Sequence, residues 1–174
     1  MKDLASRAQQ LAARIQNVGG TLTPATEQQL AAAEQALGRP LPAELAALFR
    51  ITNGVAGVVF DGGYRLLSLD GLLASWQLSL ELAKTDSGCE GIDGARDAYF
   101  LPDWFPILDG GDSTFLAYDN HPASEGRVGQ LVIVDPEDKY REVRSAVMWD
   151  WLLTESIEFT GEATDEATDE ATDE

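Results

Sequence analysis

The sequence predicts an α+β fold in which N-terminal helices pack on a mostly antiparallel β-sheet and a C-terminal helix closes the domain. Apolar residues recur at helical spacing through the segment that precedes Gly54. Short β-branched and aromatic runs, separated by turns rich in Gly and Asp, occupy much of the chain after it. A last helical pattern lies at Met148–Leu152. Helices followed by a meander of strands and a closing helix are typical of this class.

The first two helices are indicated by their apolar period and by the residues at their ends. The apolar stripe of the first helix steps by three or four residues: Leu4, Ala8, Leu11, Ile15 and Val18. Gly19-Gly20 then ends that helix. Thr23 is the expected N-cap of the second helix and Pro24 its first residue, because proline has the φ angle that a first turn requires. The second helix ends at Leu37, before Gly38, where a left-handed cap is expected.

The third helix is predicted from about Pro42 to Thr52. Pro40 prevents the preceding helix from continuing, and Pro42 suits the first turn of the next one. The apolar stripe of this helix consists of Leu45, Leu48 and Phe49. Asn53-Gly54 tolerates positive φ and therefore ends the helix.

Two strands and a fourth helix follow. Val55–Phe60 and Tyr64–Leu69 are apolar, strand-like runs joined by a hairpin-like turn at Asp61-Gly62-Gly63. Asp70 is the expected N-cap of the fourth helix. The buried side of that helix is predicted to carry Leu69, Leu72, Leu73, Trp76, Leu80 and Ala83.

The segment Thr85–Ala98 has no apolar period and many residues that break regular structure, which indicates a loop. It contains four carboxylates: Asp86, Glu90, Asp93 and Asp97.

The second half of the chain reads as a meander of strands. Strands are predicted at Trp104–Leu108, Thr114–Tyr118 and Val128–Val134. Turns or loops are expected at 109–112, 119–127 and 135–138. Residues 131–134 are apolar on both faces, so we expect a central strand that is covered on both sides. Helices on one face would leave the other face of the sheet partly open. Ser145 is the expected N-cap of the final helix, whose neighbouring turns carry Met148, Trp151, Leu152 and Glu155.

Composition indicates one folded domain at 1–160 and an acidic tail at 161–174. The chain has 174 residues, of which 44% are hydrophobic, and a formal net charge of −18. The tail repeats Ala-Thr-Asp-Glu, holds no large apolar residue, and is therefore expected to be disordered. It carries seven negative charges: Glu162, Asp165, Glu166, Asp169, Glu170, Asp173 and Glu174. Removing these seven from −18 leaves −11 on the folded part.

This acidity argues against nucleic acid and anionic membrane surfaces as ligands, since both attract Lys and Arg. A basic protein is the electrostatic complement, although solubility alone explains the charge equally well. No run of about 18 apolar residues exists, and no secretory signal is visible at the N-terminus. The lone cysteine, Cys89, excludes an internal disulfide and fits a cytoplasmic location. A passive thiol is its simpler interpretation.

Catalysis has few candidate residues. Asp109, Asp112 and Asp119 are the candidates for acid–base chemistry or a site for a hard metal ion, but turn formation explains the first two more simply. With a single histidine, His121, and a single cysteine, a zinc site would be unusual. No phosphate-binding or hydrolase motif is present. We therefore predict a protein that is not an enzyme and holds no cofactor or metal.

The four tryptophans receive separate interpretations. Trp76 and Trp151 lie on apolar helical faces and are predicted to be core residues. Trp149 falls on the other side of its helix and is predicted to be partly exposed, as a binding hot spot would be. Trp104, at a strand entrance, is compatible with either environment.

Two ordered groups of motifs resemble those of the SMI1/KNR4 superfamily, also called SUKH. A helix ends in Leu37-Gly38, Leu41-Pro42 opens the next helix, and that helix closes at Asn53-Gly54. A strand of Trp-x-Pro-Ile type and a glycine-rich turn follow. Their matching residues are Trp104, Pro106, Ile107, Gly110, Gly111 and Asp112. The resemblance covers about residues 23–155, and these motif residues read as structural.

The resemblance implies a non-catalytic protein-binding module. Bacterial members of the family resemble immunity proteins that neutralise a cognate toxin, often a nuclease, of polymorphic or contact-dependent toxin systems. The alternative is an intracellular regulatory adaptor that binds an endogenous protein. We expect the partner to be a basic toxin domain, bound in the cytoplasm. The residues predicted to contact it are Asp86, Glu90, Asp93, Asp97, Trp104, Asp112 and Trp149.

Overall fold

A computed structural model describes residues 4–85 and 88–161, and its architecture is the predicted α+β. Its five helices are α1 (Leu4–Asn17), α2 (Glu27–Leu37), α3 (Ala43–Ile51), α4 (Leu69–Leu82) and α5 (Met148–Thr154). Within these described ranges, no helix combines the length and apolar character needed to cross a membrane. The tail from residue 162 onward lies outside the described residues, so the division at residue 160 stays a prediction.

Eight strands lie within the described residues and form two sheets. They are β1 (Val58–Phe60), β2 (Arg65–Leu66), β3 (Glu90–Ile92), β4 (Trp104–Gly111), β5 (Thr114–Asp119), β6 (Gln130–Val134), β7 (Tyr140–Ser145) and β8 (Ile157–Phe159). The larger sheet has the order β2-β4-β5-β6-β7-β3. Its pairs are antiparallel except for β3 and β7, which are parallel, so the prediction of a mostly antiparallel sheet is confirmed. β1 and β8 form a separate antiparallel pair.

Three helices begin at residues other than the predicted caps. Thr26, not Thr23, is the N-cap of α2, where it forms a capping box with Gln29. Ser68, not Asp70, caps α4 by accepting a hydrogen bond from Gly71. α5 starts after Val147, which has no side-chain cap. For α2 and α4, several polar residues lie near the start of the helix, and periodicity alone does not select among them.

The segment between α2 and α4 holds its turns as the sequence indicates. Gly38 has a left-handed φ of 70° at the end of α2. Asn53 contributes its side chain and not a positive φ, because its Oδ1 accepts a hydrogen bond from Leu69 N–H at 2.7 Å. This bond ties the end of α3 to the start of α4. Gly54 has the positive φ, 84°, and passes close to the backbone of Ser68.

Three strands were not predicted and one has a different partner. β3 lies inside the predicted acidic loop, β7 precedes α5, and β8 follows it. β7 escapes detection because its alternate buried position is occupied by a charged residue, Arg141. The predicted strand Tyr64–Leu69 shortens to β2, which pairs with β4. Its first residue, Tyr64, forms a single antiparallel bridge with Phe60 of β1 across the predicted turn.

Strand β4 continues through the first three residues of the turn predicted at 109–112 and ends at Gly111. The hairpin turn consists of Asp112 and Ser113, whose φ angles of 48° and 64° are both positive, as a type I′ turn requires. This turn carries Asp112 away from the strand into solvent.

Both faces of the central strands of the larger sheet are covered. The main core lies between the helices and one face, and includes Leu131. A smaller cluster on the other face contains Val132 and Val134 together with Tyr99, Phe100 and Trp104. The prediction that β6 is central and covered on both sides is therefore confirmed, whereas the expectation of a partly open second face is wrong. The segment 95–101 supplies much of the cover, because its apolar residues fold back over the sheet.

Candidate functional site

The carboxylates of the predicted acidic loop are separated by the fold. Glu90 is exposed at the start of β3. Asp97 is also exposed, but its Oδ1 accepts a hydrogen bond from Gly91 N–H at 2.8 Å. That amide faces away from β7, so Asp97 covers the free edge of β3. Asp93 follows the far end of β3, with a φ of 57°. Asp86 lies outside the described residues.

Two tryptophans predicted to contact a partner are fully buried. Trp149 has no exposed surface, so the prediction that it is partly exposed is wrong. α5 is enclosed on several sides because it contacts both α1 and β7, and Met148, Trp149, Trp151 and Leu152 are all buried. Trp104 is equally buried, in the smaller cluster. Trp151 is a core residue as predicted, while Trp76 is only partly buried and packs against both clusters.

The aspartates considered for metal or acid–base chemistry do not form one cluster. Asp109 pairs in register with Phe115, and Asp119 lies four residues further along β5, a separation of about 13 Å. Asp109 lies in β4, where its Oδ1 bonds back to the backbone by accepting a hydrogen bond from Gly111 N–H at 2.9 Å, and Asp112 lies in the turn itself. Within residues 4–85 and 88–161, no group of three His, Cys, Asp or Glu residues is arranged to hold a metal ion.

Six carboxylates lie along one end of the larger sheet and are called here the acidic rim: Asp109, Asp112, Asp135, Glu137, Asp138 and Glu90. These residues lie in or beside the β4–β5 turn, in the β6–β7 turn and at the start of β3. This is also the order of the strands across the sheet. Four strand spacings separate β4 from β3, so the rim is about 19 Å long. Arg65 and Lys139 lie at the same end. The fold thus brings the predicted residues Glu90 and Asp112 to one end of the sheet and places Asp93 towards the other.

A groove of about 530 Å³ opens beside the rim. Its lining includes Tyr64, Asp112, Asp135 and Glu137. The Tyr64 ring packs against Gly110, since a Cβ at Gly110 would lie 2.7 Å from Tyr64 Cε1. The glycine of the family-like motif therefore makes room for this ring. Burial raises the pKa of the Tyr64 hydroxyl, Arg144 opposes that shift, and Asp135 adds to it, so the phenol stays protonated at neutral pH.

The opposite end of the sheet contains a buried polar network around Asp119. Its Oδ2 accepts a hydrogen bond from Gln130 Nε2 at 2.9 Å, and the same amide group donates to Gly94 O at 3.0 Å. Its Oδ1 accepts from His121 N–H at 2.9 Å. Burial raises the pKa of Asp119 above its ordinary value, and the hydrogen bonds from His121 and Gln130 only partly oppose this shift. The network holds the residues after Asp93 against the 119–129 loop, which makes it structural.

The residues of the site that were missed lie in one turn and at the start of one strand. The sequence pattern predicts only a turn at Asp135-Pro136-Glu137-Asp138, although three of these four residues are acidic. Tyr140, the next aromatic residue, is 53% exposed. The density of carboxylates in this turn is a sequence signal that identifies it as a candidate part of the acidic rim. The exposure of Tyr140 was not predictable without β7, because its neighbour Arg141 is the buried residue of the pair.

Comparison with protein families matches residues 24–154 to the SMI1 / KNR4 family (SUKH-1). The match covers most of the described residues and both groups of sequence motifs. No curated protein matches the chain.

Proposed function

The chain belongs to the SMI1/KNR4 family (SUKH-1), and on that premise we propose that it is an immunity protein that binds and neutralises a basic toxin domain. Family membership supports a protein-binding module of the immunity type, and members of the family are generally non-catalytic. The proposal adds the basic toxin, the mechanism of neutralisation and a cytoplasmic site of action in bacteria.

The acidic rim is the observation that carries this proposal. A nuclease cleft is basic because it binds phosphate, and six carboxylates over about 19 Å are a complementary surface. Carboxylates docked in such a cleft occupy the positions of substrate phosphates and exclude the nucleic acid. Inhibition then needs no chemistry from this chain, only a fit of charge and shape.

The rim is fixed in place before a partner arrives. Asp135 Oδ1 accepts a hydrogen bond from Glu137 N–H at 2.8 Å, and Asp109 holds Gly111 in the same way. Asp112 lies in a tight two-residue turn. Because these turns are already ordered, binding would pay little of the entropy that ordering a loop requires.

The proposal is tested by growth rescue. Toxin-like domains of the source strain, beginning with any that is encoded next to this gene, are expressed in a sensitive host, with or without this chain. We expect growth only when the chain is present, and expect an unrelated toxin to kill in both cases. Lack of rescue against every toxin of the strain would refute the proposal.

The alternative function, a regulatory adaptor, predicts a different phenotype. For an adaptor, deletion of the gene should impair growth of a clonal culture. Growth should remain impaired when the gene of the toxin is deleted as well. An immunity protein is dispensable once its toxin is absent. The two functions are therefore separated by the growth of the double deletion strain.

A further inference from the structure

Strand β7 presents an exposed aromatic side chain between carboxylates. Arg141 is buried and Val143 packs against the smaller core cluster, so Tyr140, Glu142 and Arg144 lie on the opposite face of the strand. In the parallel pairing with β3, Glu90 lies next to Tyr140 and Ile92 next to Glu142. Neighbouring strands are about 4.8 Å apart, so Glu90 and Tyr140 are adjacent across the strand pair and their side chains lie on the same face.

The backbone under Tyr140 is held by a buried arginine. Arg141 has no exposed surface, and its guanidinium donates to the carbonyl oxygens of Tyr140, Asp138 and Tyr99 at 2.7, 3.1 and 2.9 Å. It also lies over the Tyr99 ring, 5.1 Å from the centroid. Burying a guanidinium is costly, and the bonds obtained here fix the β6–β7 turn and the start of β7. The position of Tyr140 is therefore preorganised.

We propose that Tyr140, Glu90 and Glu142 form the contact point for an arginine side chain of a basic protein partner. The Tyr140 ring is the stacking surface, and the two carboxylates accept the N–H groups of the guanidinium. Arg144, on the same face, is paired with Asp61 at 3.7 Å, so its charge is countered within the chain. The inference extends the proposed function, because it names the side chain by which a toxin would be recognised.

Arginine fits this surface better than lysine. A guanidinium is planar, stacks on an aromatic face and presents a fork of donors to carboxylates. An ammonium group is a compact, strongly hydrated charge that gains less from stacking. The surface should therefore distinguish two peptides of equal charge.

The test uses oligoarginine and oligolysine peptides of nine residues with the full chain, followed by residue-resolved NMR. We expect oligoarginine to shift the amide signals of Glu90, Tyr140 and Glu142 at lower concentration than oligolysine does. Tyr140→Ala should weaken oligoarginine binding at these residues about two- to fivefold, the worth of an exposed cation–π contact. Tyr140→Phe should bind as the wild type does. The tail carboxylates are common to all variants and cancel in the comparison.

The matched control is Phe159→Ala, since Phe159 is 50% exposed and lies in β8, outside the larger sheet. It should leave oligoarginine binding unchanged. Signal changes centred on Asp93 and Glu125, or equal binding by wild type and Tyr140→Ala, would overturn the inference. Either result would leave the proposed function standing, because growth rescue by the whole chain does not depend on this residue being the contact. If growth rescue fails but the NMR result is as expected, the proposed immunity function is refuted and the arginine contact at Tyr140 stands.

Discussion

Asp119 is a buried carboxylate whose ionised form opposes folding. Its pKa is raised above the ordinary value of 3.8, chiefly by burial. The folded state therefore holds this proton at a pH where the unfolded chain has lost it. The corresponding stabilisation is complete below pH 3.8 and disappears as the pH rises through the folded-state pKa.

We expect the contribution of Asp119 to the free energy of unfolding to increase on acidification. As the pH is lowered from 7 towards 4, the free energy of unfolding of the wild type should rise relative to that of Asp119→Asn, whose side chain does not titrate. Urea unfolding of both proteins across this range measures the difference. A difference that is constant, or that falls on acidification, would contradict the assignment.

Gly110 illustrates a glycine required by a neighbour's ring. A Cβ at this position would lie 2.7 Å from Tyr64 Cε1, so Gly110→Ala must displace the ring or the strand. We expect a loss of about 1–3 kcal/mol in the free energy of unfolding. The cost should shrink in a Tyr64→Ala background, as a double-mutant cycle measures. An equal cost in both backgrounds would place the strain in the backbone instead.

At the scale of elements, α2 has two candidate N-caps, Thr23 and Thr26, and the structure places the cap at Thr26. Thr26 accepts a hydrogen bond from Gln29 N–H at 3.2 Å, and Gln29 Oε1 accepts one from Thr26 N–H at 2.9 Å. Thr23 is exposed, and its carbonyl oxygen, not its side chain, accepts a hydrogen bond from Asn53.

Thr26→Ala should therefore lower the free energy of unfolding by about 1 kcal/mol. Thr23→Ala is the matched control and should change it by less than about 0.5 kcal/mol. Denaturant unfolding of the two variants compares them directly. A larger loss of stability in Thr23→Ala than in Thr26→Ala would indicate that the helix begins at Thr23-Pro24.

The elements that the sequence predicted are those with local signals. Helical spacing identified all five helices, and glycine placed the cap at Gly38 because only local φ matters there. β3 and β7 depend on a pairing between distant segments, and neither has a clear apolar alternation. Trp149 was misplaced for the same reason: which faces of α5 are covered depends on α1 and β7, not on α5 itself.

At the scale of the whole molecule, charge is distributed unevenly over the larger sheet. Six carboxylates line one end, whereas Asp93 and Glu125 lie near the other. The net charge was readable from composition, and Glu90 and Asp112 were predicted individually. Their placement at one end follows from strand order, which composition does not contain. The rim is therefore a property of the fold, and it makes a testable claim about which end approaches a basic partner.

Matched neutralisation of the two ends tests this claim. Asp112→Asn with Glu137→Gln removes two charges from the rim, and Asp93→Asn with Glu125→Gln removes two from the other end. Asparagine suits both turn positions, since Asp112 and Asp93 have positive φ and Asn tolerates that conformation. The two variants thereby have the same net charge.

The most direct measurement is the association rate constant with the toxin domain identified by growth rescue, taken as a function of salt concentration. Electrostatic steering predicts that the rim variant associates several-fold more slowly than wild type at low salt and depends less on salt, while the variant at the other end resembles wild type. Slower association by the Asp93/Glu125 variant, with the rim variant unchanged, would contradict the account.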